Sequence, residues 1–474
     1  MTPSPADKTP AGSEKLSFPT KLAYGAGDLG PAMTANVLAF FLLFFFTNVA
    51  GLNPALAGSI LLIGKVWDAI NDPIVGVLSD RTQSRWGRRY PWMMFGAVPF
   101  GLLFIVQWLV PSTNAWVLFA YYVLVSVLFN IAYTAVNLPY TALTPELTSD
   151  YNERTSLNSF RFAFSLGGSI LSLVLAQIIF SQMAGNPVGQ YTLLASICAV
   201  LSVASLFWCV WGTWSRSYAA TGRDRGEQAV DDTPFTEQLR IALRNRPFLY
   251  VIGIYLCSWL GVQVTAAIIP YFVVNWMGQP EAVFTQVALA VQGTALIMLF
   301  VWGAISNRVG KKAVYFMGMV LWIGAQAGLF FLQPGQVGLM YGLAVIAGLG
   351  VSTAYLIPWS MMPDVIDLDE LQTGKRREGI FYGFMVLLQK FGLAIGLFLV
   401  GQALELSGFQ ESVAGQPIPV QPDSALLAIR IAIGPLPTIC LIIGLILAYF
   451  YPITRTVHTE ILLKLAERQQ QRES

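Results

Sequence analysis

Twelve stretches of about twenty predominantly apolar residues recur along the chain, centred near residues 35, 66, 101, 129, 168, 201, 261, 294, 323, 349, 391 and 438. A stretch of that length is what a helix needs to cross ~30 Å of hydrocarbon. The expected fold is therefore an all-α integral membrane protein with twelve transmembrane helices. Composition agrees: 55% of the 474 residues are hydrophobic and 11% charged, which sets aside a soluble multi-domain enzyme.

Charge is informative by position rather than in total. Of 28 Lys and Arg, four (Lys65, Arg161, Lys390, Arg430) lie inside apolar stretches, and the other 24 fall in the tails or in alternate loops. Positive residues mark the cytoplasmic side. Both termini and the loops near 81–89, 150–154, 214–246, 307–312 and 369–377 are thus expected on the cytoplasmic side of the cell membrane. The expected division is a cytoplasmic tail over 1–20 with no signal peptide, a six-helix bundle over 21–214, a cytoplasmic linker over 215–246 with an amphipathic helix near Phe235–Leu243, a second bundle over 247–452 and a tail over 453–474. Cys198, Cys209, Cys257 and Cys440 lie in apolar stretches without metal-ligand spacing and read as packing residues. The single histidine, His458, lies in the C-terminal tail, so coupling chemistry within the membrane falls to carboxylates.

The halves repeat each other. Gly76-x-x-Ser-Asp80-Arg81 returns 227 residues later as Gly303-x-x-Ser-Asn307-Arg308, Leu138-Pro139-Tyr140-Thr141 returns after 219 as Ile357-Pro358-Trp359-Ser360, and Arg161-Phe162 with Gly167 returns after 229 as Lys390-Phe391 with Gly396. A parallel internal duplication follows, giving two pseudo-symmetric six-helix bundles around a midplane site. At the 227-residue offset, the positions matching Lys65, Asp68 and Asp72 are Gln292, Ala295 and Leu299. Only the first half carries the carboxylates.

That asymmetric cluster is the expected coupling site. Asp68 and Asp72 are one helical turn apart with Lys65 three residues earlier, so all three share a face. Each buried charge costs ~2.5–3.5 kcal/mol at a helix centre, which favours a functional reading over a structural Lys–Asp pair. The cluster sums to minus one, so a proton or one monovalent cation would neutralise it; Na⁺ at Asp68 and Asp72 is a candidate. Asn137 stands beside Leu138-Pro139, where proline removes a backbone donor and frees carbonyls; a plain kink is the competing reading. Tyr140 and Tyr355 are the candidate aromatic faces for a sugar ring, although most aromatics simply pack.

Lys21-Leu-Ala-Tyr-Gly-Ala-Gly-Asp28, Trp67-Asp68-Ala-Ile-Asn71-Asp72-Pro73 with Ser84-Arg85-Trp86-Gly87, Asn137-Leu-Pro-Tyr140, Glu153-Arg154-Thr155 with Arg161, and Pro363-Asp364-Val-Ile-Asp367 through Glu378-Gly379 to Lys390 resemble, in order and spacing, the glycoside-pentoside-hexuronide:cation symporter family. This is the melibiose-permease-like branch of the major facilitator superfamily. The resemblance implies the major facilitator fold, alternating access and uptake driven by Na⁺ or H⁺. It places Asp68, Asp72 and Thr134 at the cation site, Arg161 and Lys390 on the solute cavity, and Asn137 at a position shared between the two; Lys65 joins the cation site by the helix face that it shares with the aspartates. The loop from Gly76, which permits close helix approach, to Arg89 corresponds to the superfamily's loop between helices 2 and 3, and a cytoplasmic gate is expected there: Asp80, Arg81 and Arg85, with Arg154 and with Arg308 as the second-half counterpart of Arg81, pairing across the mouth with Asp364 and Asp367; a solvated positive-inside loop is the competing reading. The sequence departs from the melibiose branch at Pro31-Ala32, where a Lys-Asp pair is expected, at Asn137 for an Asp and at Thr141 for a Trp, so galactoside specificity does not follow.

The expected function is a cation-coupled secondary symporter for a small organic solute, a sugar, glycoside or hexuronide, working as a monomer in the bilayer without cofactor or nucleic acid. The alternatives are a lysolipid transporter of the same fold and a non-transporting membrane sensor. With Asn137 neutral, the ion inclines towards H⁺. Arg161 and Lys390, left without a carboxylate in the cavity, point to an anionic solute such as a uronate; hydrogen bonds to a neutral glycoside are the equal alternative. No nucleotide loop, metal cluster or activated nucleophile points to an enzyme.

Overall fold

The computed structural model describes residues 15–148, 151–183, 185–221, 235–374, 377–412 and 419–473; within these, the side chains of Asp80, Arg154 and Asn307 lie outside the described residues. Those expectations about Asp80 and Arg154 therefore have no structural counterpart here. The first half contains α1 (Phe18–Ala26), α2 (Leu29–Asn48), α3 (Pro54–Arg81), α4 (Tyr90–Val106), α5 (Ala115–Thr141), α6 (Thr144–Leu147), α7 (Tyr151–Gln182) and α8 (Pro187–Thr221). The second contains α9 (Phe235–Arg244), α10 (Arg246–Tyr271), α11 (Glu281–Val309), α12 (Lys311–Phe331), α13 (Val337–Thr373), α14 (Glu378–Leu406), α15 (Asp423–Ile433), α16 (Pro435–Phe450) and α17 (Arg455–Glu473).

Counting α1 with α2 and α15 with α16, ten helical rods among the described residues are long and apolar enough to cross a membrane. Two more complete the expected twelve. α4 is apolar but has 17 residues, and α3 is 28 residues long but carries Lys65, Asp68 and Asp72 in its middle. Local chemistry sets their ends. Asn53, Asn114 and Asn245 cap α3, α5 and α10 by accepting first-turn N–H groups, and Gly374, at φ 72°, terminates α13 in the left-handed region.

The halves meet along three helix pairs: α3 on α14, α7 on α11 and α2 on α10. We call the side carrying the start of α1, α9 and α17 the tail face and the opposite side the far face. One apolar core runs through both halves towards the far face, taking in Phe41, Phe45, Trp108, Tyr191, Tyr271 and Phe284. Towards the tail face there are two cores, one in each half.

The tail ranges differ from expectation. Leu16 is buried and its N–H donates to Glu153 (3.0 Å), so the chain joins the bundle before residue 21. Residues 455–473 form α17, docked on the second half through His458, Arg455 and Arg468. The amphipathic linker helix is α9.

Candidate functional site

Asp68 is buried on α3 and Asp72, one turn on, is partly exposed. From α5, Thr134 Oγ1 lies 3.2 Å from an Asp68 oxygen and 3.0 Å from an Asp72 oxygen. Its one hydroxyl proton serves one carboxylate at a time. From α14 in the other half, Lys390 Nζ lies 3.0 Å from Asp68 Oδ2 and also pairs with Asp72 Oδ2. Lys65, on the same helix as the aspartates, is 3.8 Å from Asp68. Two lysines thus face two aspartates, and the cluster as folded is neutral rather than minus one. Two carboxylates and a hydroxyl form an all-oxygen set suited to a hard cation, but in this arrangement an ammonium group already sits on both carboxylates.

This overturns one expectation. Arg161 and Lys390 do not stand without carboxylates: Lys390 is held by Asp68 and Asp72, and Arg161 Nε donates to Asp28 (3.3 Å). Asp28 lies at the break between α1 and α2, which turns its carboxylate toward α7. Tyr140 is also displaced from its expected role. Its ring is fully buried, stacked on Tyr24 (5.2 Å between centroids) with its hydroxyl donating to the Tyr24 carbonyl (2.8 Å), so it offers no face to a solute. Gly27 leaves the space for it; a β-carbon there would lie 2.3 Å from the Tyr140 ring. Gly76 does not bring helices together either, since a β-carbon there would meet only Leu138 at 3.5 Å.

Tyr355 does reach a cavity. A space of about 90 Å³ opens between α2 of the first half and α10–α13 of the second. Its polar lining is Asn36, Gln263, Thr265, Gln292, Gln326 and Tyr355. Trp322 and Phe40 add aromatic surface, and among the described residues no charged side chain lines it. Gln292 donates to Asn36 (2.8 Å), linking the halves. Asn137, half-buried, sits one turn beyond Thr134 on α5.

At the tail face the expected gate carboxylates Asp364 and Asp367 have partners within their own half. Lys311 donates to both Asp364 oxygens (2.7 and 2.8 Å), and His458 approaches Asp364 (3.4 Å) and Asp367 (3.1 Å). Arg377 binds Asp369, and Arg88 and Arg89 share Glu146. Arg81, Arg85 and Arg308 are exposed, with Arg85 4.8 Å over the Trp86 ring.

The far face holds further cross-half contacts. Thr47 and Tyr271 share a hydrogen bond (2.7 Å), Ser412 N–H donates to the Thr47 carbonyl (3.0 Å), Asn53 donates to Glu405 (2.5 Å) and Tyr191 to Glu281 (3.1 Å). Thr285 donates to Gln177. Sequence reasoning passed over Glu281 and Glu405 because each stands next to a loop, where a carboxylate reads as solvated. Their lack of basic neighbours on the same side was the available signal.

Residues 23–455 match the family described as MFS/sugar transport protein. An uncharacterized symporter of Synechocystis sp., sll1374, is 53% identical over 97% of this chain and 98% of its own. A sodium-dependent lysophosphatidylcholine symporter 1-A of Danio rerio is 27% identical, covering 92% and 86%. An isoprimeverose transporter of Lactiplantibacillus pentosus is 27% identical, covering 95% and 92%. The solved structure of the nucleoside transporter NupG superposes with a TM-score of 0.64 at 12% identity, covering 92% of this chain and all of that one, which speaks to the fold alone. The chain therefore belongs to the MFS/sugar transport family, as a multi-pass secondary symporter of the major facilitator fold that carries a small solute with a coupling ion and is not an enzyme.

Proposed function

We propose that Asp68, Asp72 and Thr134 bind the coupling ion, H⁺ or Na⁺, and that Lys390 is the internal cation it displaces. The observation that carries this is the reach of Lys390 across the interface onto both carboxylates. With two lysines against two aspartates, an arriving cation competes with a bound ammonium, and its binding releases the α14 side chain from α3. Breaking the cross-half charge pair is the step that lets the halves rock. The positive-side asymmetry supports the tail face as cytoplasmic, with both termini inside the cell membrane of a bacterium. The sealed far face then corresponds to an inward-facing state.

For the solute we propose a neutral polyhydroxylated molecule of pentoside or hexoside size. Arg161 and Lys390 are already matched by carboxylates and lie outside the cavity lining, and the lining at Asn36, Gln263, Gln292 and Tyr355 offers amide and hydroxyl groups that pair with sugar oxygens. The isoprimeverose transporter among the relatives is consistent with this class. Proteoliposomes with imposed Na⁺ or H⁺ gradients test both halves of the proposal. Uptake of a labelled pentoside or hexoside driven by one gradient, competed by neutral analogues and not by their uronates, is the expected result. Uptake competed better by uronates returns the anionic solute, and uptake competed by lysolipid alone replaces the sugar.

A further inference from the structure

A second cavity, about 530 Å³, lies at the tail face of the second half, away from the ion site. Its walls are the α11–α12 turn, the start of α12, Asp364 of α13, and the Tyr451–Thr456 connection into α17. Three cations line it. Lys311 is spent on Asp364, the lining carboxylate, which also receives His458. Lys312 donates to the carbonyls of Tyr449 and Tyr451, and Arg455 to the carbonyl of Arg308 (3.1 Å). Among the described residues neither of these two is answered by a carboxylate in the cavity, so it keeps two positive charges. The first turn of α12 has no side-chain cap and no acidic residue, and the first turn of α17 has no acidic residue either. Two helix N-termini, the positive ends of their dipoles, thus meet two unneutralised cations around one space. The neighbouring surface is apolar and exposed: Val309, Tyr449 and Phe450 are 53%, 67% and 60% exposed, and Ile446 and Ile443 continue the ridge down α16.

We propose that this cavity binds the phosphate of an anionic phospholipid from the tail-face leaflet, with Lys312 and Arg455 on the headgroup and the acyl chains along α16. Phosphate chemistry follows from the two cations and from the first-turn N–H groups of α12, which no side chain caps; at α17 Thr454 Oγ1 accepts from Val457 N–H (3.4 Å). The membrane source follows from the neighbouring apolar surface, since a soluble phosphate has no use for it. The bound lipid would brace α17 against the α11–α12 turn.

The test uses the full chain in a neutral detergent, titrated separately with dioctanoyl phosphatidylglycerol, dioctanoyl phosphatidylcholine and glycerol 3-phosphate. Its readouts are the unfolding midpoint and bound-lipid mass. Phosphatidylglycerol is expected to raise the midpoint and appear as a single adduct, with phosphatidylcholine and glycerol 3-phosphate doing neither. Lys312→Gln and Arg455→Gln should each weaken the apparent affinity about fivefold, while Lys464→Gln, an exposed cation on α17 outside the cavity, leaves it unchanged. Equal stabilisation by phosphatidylcholine, or affinity unchanged in both cavity variants, overturns the site. Stabilisation by glycerol 3-phosphate equal to that by the lipid overturns the lipid source.

Discussion

Lys390 is where the two halves share a charge balance, and its removal separates binding from coupling. In Asp68→Asn or Asp72→Asn, one carboxylate is lost and Lys390 is left with a single partner; gradient-driven accumulation should vanish in each while solute exchange persists. In Lys390→Gln the aspartates lose the internal competitor, so ion affinity should rise on the order of tenfold, 1.4 kcal/mol, with accumulation lost. Ion-dependent solute binding in detergent and uptake in proteoliposomes, measured side by side, separate the two effects; an unchanged ion affinity in Lys390→Gln removes its role as competitor. Some of this was legible in the residues. The i, i+4 aspartates on an apolar helix announced themselves by cost, and Thr134 came through the family pattern. The pairing of Lys390 was not legible, because it depends on which of two far-apart helices lie side by side. Tyr140 misled for a related reason: an aromatic beside a helical proline looks the same whether it faces a cavity or, as here, lies over Gly27 of a neighbouring helix. Gly27→Val should accordingly destabilise by about 1–3 kcal/mol through overpacking, and Tyr140→Phe by about 1 kcal/mol through a lost hydrogen bond, read as unfolding midpoints.

Among the helices, α3 and α14 touch backbone to backbone. A β-carbon at Gly401 would lie 2.6 Å from the Pro54 carbonyl oxygen and 3.0 Å from Gly58 Cα. Both partners there are main chain, which cannot swing aside. Gly401→Val should therefore force the far ends of α3 and α14 apart, at about 1–3 kcal/mol, and shift the population away from the far-face-sealed state. Thiol labelling of a cysteine at Thr47, in a background lacking the four native cysteines, checks this: labelling from the far face should rise in Gly401→Val and stay low without it. The helices themselves were readable from apolar length and capping asparagines. The seal was not, because its contacts pair residues such as Asn53 and Glu405 that are 352 positions apart. Likewise α17 read as a tail, since its polar sequence gives no sign that Asp364 and Asp367 would receive His458.

For the whole molecule, the neutral cluster has an electrical consequence. Without the coupling ion, Lys65 and Lys390 cancel Asp68 and Asp72, so the carrier's return leg moves no net charge through the membrane field. With one monovalent cation added and a neutral solute aboard, the loaded leg moves one positive charge, worth about 2.3 kcal/mol per 100 mV. Membrane voltage should therefore accelerate loaded translocation and leave the return indifferent, with one elementary charge crossing per solute in solid-supported-membrane recordings. Lys390→Gln should reverse the pattern, leaving the loaded carrier neutral and the empty one at minus one. Placing a lysine in one half and the aspartates in the other thus determines which half of the transport cycle the cell's battery can drive.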